Sequence, residues 1–240
     1  MENQKVLLEN ASGLLTLQLN NPSKLNCMGF EMLNALNDAV QMAQKVPDVK
    51  AVLIKGAGDR AFSTGADLKE FKSLNQADRN KWISFGNEVF NQIENLSKPT
   101  IAYVDGYAIG GGLELALCCD FRIGTPAAVF SSPELGHGWL PGWGGMTRLR
   151  RLFGESVTKE VIFIGDQIGS DKALQLGLLH RVVENGKSKE MDELLQKLLA
   201  LDPGVFALAK AAIADGQRTT SGADVQFDIL ALQSMQRGNP

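Results

Sequence analysis

Leu15, Leu17 and Leu19 alternate with Thr16 and Gln18, the period-two pattern of a half-buried strand, and Asn20-Asn21-Pro22-Ser23 then supplies turn chemistry. Between Phe30 and Val46 the apolar residues Leu33, Leu36, Val40 and Ala43 return at helical spacing until Pro47-Asp48 ends the run. The pattern predicts strand, loop and helix, and the order then recurs. Ala51-Val52-Leu53-Ile54 is a short buried strand closed by Gly56-Ala57-Gly58, Leu68 to Asn95 is polar with helical character, and Thr100 to Val104 is a further strand closed by Asp105-Gly106. After Asp120 the strand signals thin out, and from Ser156 the chain reads as mostly helical. Glu190 to Leu201 places Met191, Leu194, Leu195 and Leu198 on one face, and Pro203 to Ala214 follows with proline at its start. An α/β body over 1–195 and a C-terminal helical region over 196–240 are expected, with no flexible linker, low-complexity segment or solenoid repeat between or within them.

Composition narrows the function classes. The 240 residues are 44% apolar and 21% charged, enough to bury a substantial core. Lys and Arg total 24 against 27 Asp and Glu, a net charge of −3, which argues against a protein that holds nucleic acid mainly through phosphates; a local basic patch stays open. The longest uncharged stretch, Asn10 to Ser23, has 14 residues with several polar members, too short for a membrane span. The start, Met-Glu-Asn-Gln-Lys, shows no secretory pattern, so a cytoplasmic location is expected. Cys27, Cys118 and Cys119 have neither zinc-knuckle nor C-x-x-C spacing and read as buried reduced thiols, and the two histidines, His137 and His180, are too isolated for a metal cluster.

The chemistry gathers at two small-residue segments. Gly106-Tyr107-Ala108-Ile109-Gly110-Gly111-Gly112-Leu113-Glu114 follows a strand and runs into an apolar helical stretch. Backbone N–H groups at a helix start have no intrahelical partner, and with the helix dipole they can hold an anion or the oxyanion of an activated carbonyl. The same glycines equally suit a turn made for close strand–helix packing. Ala61-Phe62-Ser63-Thr64-Gly65-Ala66-Asp67-Leu68-Lys69-Glu70 is similar: Ala66 can offer a second N–H to meet that of Gly111, or the segment is an ordinary helix start capped by Thr64 or Asp67.

Two acids follow. Glu114 lies in the first turn of the glycine-started helix, as an N-terminal cap would, and Glu134 sits in Ser131-Ser132-Pro133-Glu134-Leu135-Gly136, where a solvated loop acid is equally at home. If both face one cleft, repulsion and burial raise at least one pKa and separate an acid from a base. His137, three residues beyond Glu134, can reach the cleft edge. No phosphate-binding G-x-x-x-x-G-K-[ST], no G-x-G-x-x-G and no G-x-S-x-G is present, which disfavours nucleotide hydrolysis, hydride transfer and a serine triad.

With Asn20-Asn21-Pro22 and Asn26, Phe62 to Glu70, Gly106 to Asp120, and Pro133-Glu134 with Pro141-Gly142-Trp143-Gly144-Gly145, the chain resembles the enoyl-CoA hydratase/isomerase, or crotonase, superfamily from about Val6 to Ala214. The resemblance implies an α/β fold, a crotonase-like spiral of repeated ββα units with a C-terminal helical region that assembles trimers or dimers of trimers. It implies an acyl-CoA thioester substrate, no metal or redox cofactor beyond the CoA carried by the substrate, and no nucleic-acid or membrane partner. By position the oxyanion donors are Ala66 and Gly111, with Ala66, Asp67, Leu68 and Lys69 along the thioester and pantetheine. Glu114 and Glu134 match the two catalytic glutamates of the family's hydratases. Lys24, Asn26 and Cys27 are implied as CoA-binding positions, as are Gly110, Pro133, Trp139 and Pro141. Both acids favour hydration over isomerisation and over a silent acyl-CoA-binding subunit; a decarboxylase or C–C hydrolase shares the stabilised enolate and stays open, and a serine peptidase of the fold lacks a placed Ser and His. Trp139 and Trp143 are bulky for their positions and either narrow the acyl pocket or belong to the core. The sequence ends at Arg237-Gly238-Asn239-Pro240, ahead of a last helical segment that many relatives place near CoA.

Overall fold

A computed structural model describes residues 4–184 and 188–216. β1 (Val6–Ala11) and β2 (Leu14–Leu19) form an antiparallel hairpin; in β2, Leu15, Leu17 and Leu19 point into the core. After a 3-10 turn at Pro22–Lys24 comes α1 (Phe30–Lys45), whose Leu33, Leu36, Val40 and Ala43 are buried as their spacing requires. The rest is built from strand pairs, each followed by helical structure. β3 (Ala51–Gly56) and β4 (Ala61–Ser63) precede α2 (Leu68–Ser73) and α3 (Gln76–Glu94); β5 (Thr100–Val104) and β6 (Tyr107–Ile109) precede α4 (Gly111–Leu117); β7 (Phe121–Gly124) and β8 (Val129–Ser131) precede α5 (Gly145–Lys159). β9 (Ile168–Gly169), α6 (Ser170–Gln175), β10 (Arg181–Val182), α7 (Lys189–Leu199) and α8 (Pro203–Gly216) complete the described chain.

The first strand of each pair joins a six-stranded sheet of order β1-β2-β3-β5-β7-β10, parallel from β2 onward, and the second joins a four-stranded sheet of order β4-β6-β8-β9. The chain therefore winds from one sheet to the other at every repeat, which is the expected ββα spiral. The six-stranded sheet is covered on both faces, as parallel sheets are. Val52, Ile54, Ala102 and Val104 face the main core with α1 and α3, while Ala51, Ile101 and Ile123 meet Met191, Leu194 and Leu198 of α7.

Strands continue beyond the point where their pattern fades. β7 and β8 follow Asp120 closely, but β9 and β10 have two residues each, too few for alternation to register. α5 is interrupted by Gly154 (φ +78°), followed by one π-helical turn at Glu160–Ile164. The expected boundary after residue 195 falls inside α7, and most of the expected C-terminal helical region, residues 217–240, lies outside the described residues. α8 is tied to the body by Lys210, whose Nζ lies 2.8 Å from Asp120 Oδ2, the oxygen that also accepts the N–H and hydroxyl of Thr100. Among the described residues no helix is long and apolar enough to cross a membrane.

Candidate active site

β4 and β6 pair in parallel with Ser63 opposite Ala108, and the chains leaving them stay adjacent. Gly65 has φ +83°, and a Cβ there would sit 2.6 Å from the nitrogen of Gly111 and 2.8 Å from the carbonyl oxygen of Ile109. Only glycine permits both the backbone angle and the approach. Met28 donates its N–H to Gly65 O at 2.7 Å and accepts from Asp67 N at 3.0 Å. These bonds flank Ala66 in a parallel bridge, so its own N–H turns away from Met28. The N–H of Gly111 begins α4 and has no intrahelical acceptor. The structure thus brings the segments of Ala66 and Gly111 together. α4 has only seven residues, so the sequence-based appeal to a helix dipole gives way to the two N–H groups themselves.

Asp67 anchors the first segment. Its Oδ1 accepts from Lys69 N and Glu70 N, each at 3.1 Å, capping α2, and its Oδ2 lies 2.9 Å from Lys24 Nζ. Glu70 reaches back to accept the N–H of Phe30 at 3.0 Å, which starts α1. Leu68 and Lys69 are exposed, and Lys24 presents its stem to solvent beside them. Cys27 is half-buried, and burial, with the charge of Asp67, pushes its thiol up to about 11, so it stays neutral.

Asn26, an expected CoA-binding position, lies just before Cys27. It is fully buried, its amide donates to Ala57 O at 2.9 Å and Ala61 O at 2.8 Å, and its Oδ1 accepts from Asn21 N at 2.9 Å. Its φ of +55° follows Leu25 at +52°. The side chain braces this tight turn.

Glu114 is 4% exposed and does not cap its own helix. Its Oε1 accepts the N–H of Trp143 at 2.9 Å and of Gly145 at 2.7 Å, the residues at the start of α5. Burial pushes its carboxyl up to about 7, opposed by those two N–H bonds and by Arg148, and assisted by the charge of Glu134. That electrostatic coupling fits both acids facing one cleft. Glu134 opens a 3-10 turn, Glu134–His137, and its Oε2 accepts the hydroxyl of Ser132 at 2.7 Å. A Cβ on Gly110 would lie 2.8 Å from Glu134 Oε1, and Gly110 itself holds φ +54°, so the second acid rests on the residue just before Gly111. Pro133 is half-buried at the start of that turn and Pro141 is buried beyond it.

Trp143 belongs to the core and backs the site as well. It is 2% exposed, its ring lies 4.6 Å from that of Trp82 and 5.2 Å from that of Phe90, and a Cβ on Gly111 would come within 2.6 Å of its Cζ3. Trp139 is half-buried and meets Phe71 edge-on at 6.0 Å, at the outer end of the same aromatic row. His137 closes the turn that Glu134 opens, and His180 lies beside β7. His137 is exposed, and His180 accepts the N–H of Arg122 on Nδ1 while burial pushes its imidazole down to about 4.

Sequence reasoning missed the N–H groups of Trp143 and Gly145, the hydroxyl of Ser132, and the side chains of α3 that hold the Gly142–Gly145 turn. Asn87, Asn91 and Glu94 do recur at i, i+4 and i+7, a one-face polar stripe that could have been noticed.

Two backbone donors beside two carboxylates, one with a carboxyl near 7, can polarise a carbonyl and move protons next to it. The fold is the wound two-sheet ββα architecture of an enzyme family with paired small-residue segments at its site. The family model for enoyl-CoA hydratase/isomerase matches residues 9–238, and the chain belongs to that family of enzymes. It is 36% identical over 233 residues to a short-chain-enoyl-CoA hydratase of Clostridium acetobutylicum, covering 97% of this chain and 89% of the relative. A crotonyl-CoA hydratase of Syntrophomonas wolfei is also 36% identical, over 91% of this chain and 85% of the relative. The crystal structure of an enoyl-CoA hydratase from Bacillus anthracis superposes with a TM-score of 0.93 at 30% identity, covering 98% of this chain and 92% of that one.

Proposed function

We propose that the protein adds water across the 2,3 double bond of an enoyl-CoA thioester. The observation that carries this reading is the placement of Glu114 and Glu134 at the junction where Gly65-Ala66 meets Gly110-Gly111. The thioester carbonyl accepts the N–H groups of Ala66 and Gly111, which draws electron density from the β-carbon. Glu114, ionised and held on Oε1, uses Oε2 to orient a water and takes its proton as the water oxygen bonds to the β-carbon. The π electrons move to the carbonyl oxygen, and the enolate so formed is held by the two N–H groups. Glu134 handles the proton that reaches the α-carbon as the carbonyl re-forms. Proton return from Glu114 to Glu134 through water closes the cycle. A carboxyl near 7 suits a general base at neutral pH. The reaction needs acid–base groups and oxyanion donors, and we assign it no metal or redox cofactor.

Lys24, Cys27, Leu68 and Lys69 border the Ala66 segment, which supports a thioester and pantetheine path along it. We assign Trp139 and Pro141 to the acyl side, and the buried aromatic row behind Gly111 supports a short acyl group. The apolar surface of α8, with Val205 and Ile213 exposed, supports assembly into a homotrimer or a dimer of trimers. Free Cys27, Cys118 and Cys119 support a reducing, cytoplasmic setting.

The test is to mix the purified protein with crotonyl-CoA, follow loss of the conjugated thioester absorbance and identify the product by mass. Gain of one water, lost in Glu114→Gln and Glu134→Gln, is the expected result; CoA binding without turnover would reject hydration. Light scattering reads the assembly, and a monomeric mass would reject the trimer.

A further inference from the structure

We propose that Arg148 is a positioning residue for Glu114: it clamps the Gly142–Gly145 turn against α3, so that the N–H groups of that turn grip one oxygen of the acid and aim the other at the substrate water. This rests on the hydration reading above. The turn has no regular structure of its own, and its shape depends on what holds its carbonyls. Arg148 is 3% exposed and spends its three nitrogens on three partners: Nη1 on Trp143 O at 2.6 Å, Nε on Glu94 Oε2 at 2.8 Å, and Nη2 on Asn91 Oδ1 at 2.7 Å. Asn87 adds a bond from its amide to Gly142 O at 2.6 Å. Asn87, Asn91 and Glu94 lie along one face of α3, so one rigid helix holds consecutive carbonyls of the turn directly and through the guanidinium.

The close approach is built in. Gly144 has φ +90°, and a Cβ there would lie 2.3 Å from Arg148 Nη1, so the guanidinium packs directly on the glycine. The Gly142 carbonyl shares a peptide plane with the N–H of Trp143, and the Gly144 carbonyl, which shares one with the N–H of Gly145, accepts the backbone N–H of Arg148 at 3.0 Å, so both donors that meet Glu114 are held. A buried ion pair is costly to desolvate and adds little net stability over well-packed apolar residues. The Arg148–Glu94 pair is buried at the guanidinium and partly exposed at Glu94, which also meets Arg151, and it ends on the turn that holds Glu114. The charged groups that reach Glu114 are Glu134 from the turn after β8 and Arg148 from α5. Cys118, one turn along α4, donates its thiol to the carbonyl oxygen of Glu114 and remains neutral. Of these, Arg148 favours the ionised acid both through its charge and through the N–H groups it positions.

The experiment is a kinetic cycle on crotonyl-CoA between about pH 5.5 and 9 with the wild type, Arg148→Lys, Asn87→Ala, Glu114→Gln and the two double variants. Lysine keeps the charge but cannot make the three-way fork. The expected result is a kcat lowered about 10- to 100-fold in Arg148→Lys and less in Asn87→Ala, with KM held within about twofold. The acid limb moves to higher pH in both, and in the Glu114→Gln background neither substitution costs more than about twofold further. An unchanged kcat in folded Arg148→Lys, or an equal loss with Glu114 already removed, would overturn the proposal. Asn87→Ala, at a partly exposed position, supplies the answer if Arg148→Lys does not fold. The Glu114 carboxyl is followed in parallel by carbon NMR of glutamate-labelled protein, assigned with Glu114→Gln. A titration that rises in Arg148→Lys supports positioning even if crotonyl-CoA is not hydrated, and one that does not move rejects it, so the two readings fail separately.

Discussion

The carboxylate of Glu114 accepts the N–H of Gly145 at 2.7 Å across 31 residues of sequence, so an acid from one short helix satisfies the first residue of another. The same burial that makes this bond possible holds the carboxyl at about 7, well above its ordinary 4.5. The folded state therefore favours the protonated acid. Its contribution to stability is complete below about pH 4.5 and is lost as pH rises through 7, by up to roughly 3 kcal/mol. Glu114→Gln, which keeps an acceptor for the turn, should unfold at a higher temperature than the wild type at pH 8 and at nearly the same temperature at pH 4.5. Parallel melting curves at both pH values would show that Glu114 is not the strained acid.

Activity should show the opposite face of that titration. A base must be ionised, so kcat/KM for hydration should fall on acidification with an apparent midpoint near 7, in buffers of constant ionic strength. A profile flat from pH 8 to 5 would remove Glu114 from the role of base.

Gly65→Ala tests the meeting of the two donor segments. The added methyl would sit 2.6 Å from the nitrogen of Gly111 in a backbone with φ +83°, forcing the N–H groups apart. Turnover should drop by about 100- to 1000-fold, the loss typical of one oxyanion donor. Gly169→Ala, which meets nothing within 4 Å, serves as the control and should leave kcat within about twofold.

Ser132→Ala addresses the second acid. Its hydroxyl donates to Glu134 Oε2 at 2.7 Å, so its removal frees the carboxylate to rotate. Exchange of the product's α-proton with deuterated solvent should slow by roughly tenfold, while acyl-CoA affinity is preserved. Exchange at the wild-type rate would mean that another contact orients Glu134.

Much of this site was legible in the sequence because its parts are local. Gly110-Gly111-Gly112 and Gly65-Ala66-Asp67 announce backbone left bare after short strands, Glu114 follows the first of them at once, and Glu134 stands in a loop marked by Pro133 and Gly136. What the sequence could not show is partnership over distance. Glu114 looks like a cap for α4, since a residue in a first turn does that by default, and only the fold reveals that it serves α5. A motif records that an Asn stands at 26 and leaves its orientation open; only the fold shows its amide bonded to Ala57 and Ala61. Trp143 stood between pocket and core in the sequence, and it lies in the core with one edge against Gly111. β9 and β10 escaped notice because two residues carry no period.

The contact between Gly65 and Gly111 also says how such a site can drift. A backbone N–H has no side-chain identity, so every substitution short of proline retains it. Mutation can shift these donors but cannot readily erase them. Divergence at this place in the fold is therefore a matter of crowding and spacing, and a descendant enzyme can exchange its acids while inheriting the same cradle for a negative oxygen.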